Sequence, residues 1–177
     1  MTTKSNSTGR WTLKGLASNG PATESREKLM LFGQLVGDWE ITETRNRMSD
    51  GSWVTGKGEI HMRWILNGRG VQDIFGPIDE ATGQFIPVGT TVRFYDESID
   101  AWRSTWNAPL QHEQRTFIGG PVGSEIVLRE SNPAPGLDEH WIFSEIGRDT
   151  FRWRAERLNP ETGRREIVER MEVRRLP

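Results

Sequence analysis

Apolar residues along the chain follow two periods. In "PATESREKLMLFGQLVG", Leu29, Phe32, Leu35 and Val36 recur three and four positions apart, the spacing of one helix face. Thr23 suits the N-cap, and Glu24 and Glu27 suit the first turn, so a helix is predicted over about 22–35. After Gly37 the period becomes two and stays there. Alternating runs cover "DWEITETRN", "WVTGKGEIHMRWILNGRG", "VQDIFG", "GTTVRFYD", "AWRSTWN", "QRTFIGG", "SEIVLRES", "EHWIFSEI", "TFRWRAERL" and "REIVERMEVRRL". Turn signals separate them, among them "SDGS", Asn67-Gly68, "ESID", Gly147-Arg148-Asp149 and "NPETGR". About ten strands joined by short hairpins after one N-terminal helix predict an all-β fold, an antiparallel up-and-down β-barrel. Closure into a barrel removes both sheet edges.

The alternation assigns faces. In "AWRSTWN" the strand reading puts Trp102, Ser104 and Trp106 inward and Arg103, Thr105 and Asn107 outward. Trp39 and Ile41 share a face with Glu43 and Arg45; Ile60, Met62 and Trp64 share another. So do Phe151, Trp153 and Ala155, and Ile167, Met171 and Val173 with Glu169 between them. Trp141 and Phe143 share one with Glu145. Aromatic inward faces carrying an isolated charge suit a small barrel with a partly polar pocket. They also suit a packed core with charges at its mouths.

Composition narrows the function classes. The net charge is −2, and the 23 basic residues interleave with 25 acidic ones, so no general field attracts nucleic acid or an anionic membrane. There are no cysteines, which excludes disulfides and thiolate chemistry. No apolar run approaches a membrane span, and no signal peptide is read, so a cytoplasmic location is expected. Residues 1–20 are rich in Ser, Thr, Gly and Asn and read as a flexible arm, with Trp11 and Leu13 as a latch. Residues 21–177 read as the single barrel domain.

Gly37-Asp38-Trp39 after a short helix resembles the G-x-W opening of the lipocalin and calycin barrels. With "WILNGRG", "GTTVRFYD" and "AWRSTWNAP", the chain is similar to a family of uncharacterised bacterial calycin-like proteins of unknown function. The resemblance covers roughly residues 30–177 and implies a barrel of eight to ten strands with a helix plugging one end. It also implies an arginine of the last strand, Arg170 or Arg174, over Trp39, with a cation–π contact as the physical reason. It implies little about activity. Residues 76–88 depart from a simple hairpin and are expected to form a lid or a contact surface.

His61, His112 and His140 are far apart in sequence, so no metal site is expected. No phosphate loop and no nucleophile elbow are present, and no cofactor is expected. Asp73, Glu43, His61 and Glu169 are the candidate acid/base residues, since a carboxylate near an arginine or in an apolar pocket is tunable for proton transfer. The alternative is that these groups satisfy one another structurally. Trp64, Arg69, Tyr95, Trp102, Ser104, Trp106, Trp141 and Trp153 are the candidate ligand-binding residues. The expected function is binding of a small apolar or aromatic molecule in the barrel. The alternatives are a cofactor-independent isomerase or cyclase acting on a hydrophobic, carbonyl-bearing substrate in the same cavity, and a protein-interaction module using the exterior or the 77–88 loop. A small hydrophobic ligand or substrate is the expected partner, with no nucleic acid and no membrane; homodimerisation is left open.

Overall fold

The computed structural model describes residues 16–177. Among the described residues ten strands follow the helix α1 (Arg26–Gly33): β1 (Gly37–Arg47), β2 (Trp53–Ile65), β3 (Gly70–Pro77), β4 (Gly89–Asp96), β5 (Ala101–Ala108), β6 (Glu113–Val122), β7 (Glu125–Glu130), β8 (Glu139–Ser144), β9 (Thr150–Leu158) and β10 (Arg165–Arg175). Each strand pairs antiparallel with its sequence neighbours, and β1 pairs with β10 to close an up-and-down barrel. No described helix is long and apolar enough to cross a membrane.

The helix begins later than the periodicity predicts. Ser25, in the left-handed region, takes the N-cap position in place of Thr23. The preceding segment is tied down in another way. Ser18 N–H donates to the Trp64 carbonyl at 2.8 Å, and Ala22 N–H to the Gly68 carbonyl at 3.0 Å. Ala22 is thus held against the β2–β3 turn and is unavailable to a helix. The expected latch residues Trp11 and Leu13 lie outside the described residues.

α1 plugs the barrel at the end where β1 begins. Phe32 and Leu35 are fully buried. The Phe32 ring meets Trp102 edge-on at 4.8 Å and Phe143 at 5.5 Å. Trp39, also fully buried, donates from Nε1 to the Leu35 carbonyl at 2.8 Å and packs edge-on against Phe151 at 4.8 Å. The arginine over Trp39 is Arg175, in place of Arg170 or Arg174. Its guanidinium carbon lies 4.0 Å from the Trp39 ring centroid, and its nitrogens donate to the carbonyls of Val36 at 3.0 Å and Arg148 at 2.9 Å. The reason is register. Trp39 stands opposite Arg175 in the ladder, and Met171, Val173 and Arg175 share one face. Gly37 has φ +146°, and a side chain there would collide with the Arg175 guanidinium. The glycine of the G-x-W stretch therefore makes room for the arginine as well as starting the strand.

Two bulges change which side chains face inward. Register shifts between Ile41 and Glu43 on β1, and between Ile167 and Glu169 on β10. An extra residue exchanges the faces beyond it. On β1 this turns Asn46 toward the interior and sends Glu43 to pair with Arg45. On β10, Ile167 is exposed, contrary to its expected inward position, while Val168 packs against the core. Residues 77–88 fold back along β3 as a short arm with an Ile78–Phe85 bridge. The Phe85 ring rests edge-on at 5.1 Å from His61 on the outer wall. No residue of the arm beyond Pro77 lines the interior cavity, so it does not form a lid in this conformation.

Candidate ligand-binding cavity

Between the plug and the opposite mouth the barrel holds a cavity of about 310 Å³. Its apolar wall comes from Phe75 on β3, Trp106 on β5, Trp141 and Phe143 on β8, and Trp153 on β9. Trp141 is the centre of this wall. Trp106 meets it at 6.1 Å and 73°, Trp153 at 5.6 Å and 70°, both edge-to-face arrangements that aromatic quadrupoles favour. Trp106 needs space that a neighbour must yield: a side chain on Gly89 would collide with its indole ring.

The floor is an ion pair. Arg93 and Asp73 are both buried and bonded to each other. Asp73 also accepts from Thr91 N–H at 2.9 Å. The Arg93 guanidinium carbon lies 5.2 Å from the Phe32 ring centroid and 5.8 Å from that of Phe143. Arg93 Nε and the hydroxyl of Ser104, its partner across the ladder, have no hydrogen-bond partner among the described residues.

One side of the mouth is a charge network. Arg115 donates to Glu130 at 2.6 Å and Glu139 at 2.7 Å, and Arg157 donates to Glu139 at 2.7 Å. These carboxylates hold the Arg115 guanidinium even more firmly protonated than usual, against the opposing effect of burial. Glu113 lies 3.9 Å from Arg115 and accepts from Trp106 Nε1 at 3.3 Å.

Glu169 is different. Its ladder neighbours are Asn46 on β1 and Ala155 on β9, and it lines the cavity. It makes no hydrogen bond or ion pair with any described residue. Burial is the main reason that its acid is pushed up to about 7; Glu139 and Glu113 raise it further and Arg115 opposes them. Arg47 on β1, Arg157 on β9, and Asp73 and Arg93 farther in are the other charged groups on the cavity wall. The folded state therefore holds a proton that the unfolded chain releases near the ordinary value of 4.5. This contribution to stability is fully present below about pH 4.5 and is lost as pH rises through about 7. Glu169→Gln is expected to remove that loss. The variant should gain on the order of 2 kcal/mol over the parent at about pH 8 relative to about pH 4, read from urea unfolding at both pH values. Equal pH dependence in parent and variant would show that Glu169 ionises freely.

The candidate residues separate accordingly. Asp73, Glu169, Trp106, Trp141 and Trp153 meet at the cavity. Trp102, packed against Phe32 of the plug, and Ser104 face inward but lie outside the cavity lining. Trp64 is buried against Gly33 of α1. Tyr95 bonds to Asp100 at the closed end, and Arg69 pairs with Glu24 at 3.5 Å. His61 lies on the outer wall between Asp38 at 2.6 Å and Glu59 at 2.9 Å, and Glu43 is turned away by the bulge. Glu43 and His61, named as acid/base candidates beside Asp73 and Glu169, therefore lie apart from the cavity. Among the described residues, no group of three His, Asp or Glu side chains is placed to hold a metal ion. No family model and no curated protein matches the chain.

Sequence reading missed Arg115, Glu139 and Arg157. Their signal was present: each stands two positions from an inward aromatic or small residue, Phe117, Trp141 and Ala155 respectively, and shares its face.

Proposed function

We propose that the protein is a calycin-like barrel that binds a small, largely aromatic or apolar molecule between its plug and its mouth. The cavity walled by Trp106, Trp141 and Trp153 carries this reading. Its volume lies at the small end of the range for ligand pockets, and its aromatic rings, Phe75, Trp106, Trp141, Phe143 and Trp153, share the lining with charged and polar side chains that can orient a ligand. The plugged floor makes the opposite end the route of entry.

The test uses N-phenylnaphthylamine, an uncharged arene whose emission rises in apolar surroundings. Saturable binding to the native protein is expected. Ala155→Leu fills space between Trp141 and Glu169, its two ladder neighbours, and should weaken binding at least about tenfold while circular dichroism stays unchanged. Absence of saturable binding, or full binding by folded Ala155→Leu, would favour the interaction-module reading.

A second reading, a cofactor-independent isomerase or cyclase, is supported by Glu169. A carboxyl group poised at about 7 beside an aromatic cavity has the proton affinity of a general acid or base at neutral pH. Asp73 is less suited to that role, since Arg93 and Thr91 already engage its oxygens.

A further inference from the structure

Building on the cavity-binding reading, we infer that the ligand is an organic cation, an aromatic or alkyl ammonium whose charge sits between Glu169 and the indole of Trp141.

The first argument is the balance of charge. Four arginines line the cavity, and each already has a carboxylate: Arg93 has Asp73, Arg47 has Glu166, Arg115 has Glu130, and Arg157 has Glu139. Two carboxylates remain beyond these pairings, Glu113 and Glu169. Glu113 has a 3.9 Å contact with Arg115 and the Trp106 indole N–H but no arginine of its own, and Glu169 has no partner among the described residues. The lining alone balances, its four arginines against Asp73, Glu113, Glu139 and Glu169; with Glu130 and Glu166, which engage Arg115 and Arg47 from outside it, the whole group carries two more negative than positive charges when all are ionised. An entering anion would have to displace an existing ion pair, whereas an entering cation would supply the missing counter-charge.

The second argument is geometric and independent of charge counting. Asn46, Glu169, Ala155 and Trp141 occupy successive strands in one ladder row. Glu169 and Trp141 are therefore two strand spacings apart, about 10 Å between backbones, and the residue between them has only a methyl group. That gap has a carboxylate on one side and an indole on the other. Trp106 and Trp153 stand at 73° and 70° to Trp141, while Phe117 stacks on the Trp141 ring at 4.1 Å and the Arg115 guanidinium carbon lies 5.8 Å from its centroid, so an entering cation shares the indole with Arg115. A cation is attracted to an aromatic face within about 6 Å of the ring centroid, and an ammonium N–H donates well to a carboxylate. A neutral arene would use the indoles but leave Glu169 desolvated without a partner. A cationic one uses both.

The experiment titrates the full chain by calorimetry at about pH 8, with Glu169 ionised. The probes are tryptamine, indole and indoleacetate, which share one ring system and differ in charge. Tryptamine is expected to bind at least about tenfold more tightly than indole, and indoleacetate more weakly than either. In Glu169→Gln the advantage of tryptamine over indole should shrink to about threefold or less, while indole affinity holds. Glu113→Gln/Glu169→Gln should abolish the advantage. If indole and tryptamine bind the parent equally, or the preference survives in the double variant, the cation inference is overturned and the cavity-binding reading stands. Tightest binding by indoleacetate overturns it too. If none of the three binds and N-phenylnaphthylamine also fails, the cavity-binding reading falls and takes the inference with it.

Discussion

Asp73→Ala is expected to destabilise the protein by about 3–5 kcal/mol, because it leaves the Arg93 charge buried without its partner. Two aromatic faces do not substitute for a carboxylate. The loss should be much smaller when both members are replaced by apolar residues. Asp73→Leu/Arg93→Met removes the uncompensated charge and keeps most of the volume, and such replacements of buried pairs are often neutral or stabilising. Urea unfolding of the two single variants and the double variant forms a cycle. A large positive coupling is the expected result; additive losses would mean that the two residues act separately. The same cycle bears on acid/base chemistry, since an Asp73 held for structure should give a stability phenotype far from any ligand.

Trp39→Ala should cost about 3–5 kcal/mol. The indole is fully buried, packs on Phe151, bonds to Leu35 and lies under Arg175. Removing it opens a void beneath the plug and takes away the surface that Arg175 covers. Arg175→Met should retain much of the packing and cost less. A loss well under 1 kcal/mol for Trp39→Ala, measured by chemical denaturation, would show that the plug does not depend on its central ring.

The barrel was legible because turn residues and alternation agree over ten segments. The predicted and observed strands differ mainly at their ends. The inward faces of β5, β8 and β9 were legible for the same reason, and these strands supply Trp106, Trp141 and Trp153. Parity failed where the backbone breaks it. Neither Thr42 nor Val168 marks a bulge by residue type, yet the shifts beside them decide that Asn46 lines the cavity and that Glu43 and Ile167 do not. Trp102, Ser104 and Trp64 were on the correct side of the wall but at the wrong depth. Alternation tells in from out; it does not tell how far along the axis a plugging helix reaches. Arg115, Glu139 and Arg157 were hidden by a different bias, since charges near strand ends are ordinarily solvated. Their ion-pair network, with Glu130, emerges only when the four consecutive strands β6 to β9 are placed side by side.

The pairing of β1 with β10 also fixes an order of events during folding. Asn46 meets Glu169, and Trp39 meets Arg175, across more than a hundred residues of chain. The other nine ladders join sequence neighbours, so this single closure is the long-range step whose loop entropy must be met before its contacts form. Without β10, β1 and β9 would be two raw sheet edges. That strand brings the cavity's unpaired carboxylate and the arginine that secures the plug in the same step. Barrel closure, site completion and sealing of the floor therefore coincide, and a nascent chain lacking β10 has none of the three.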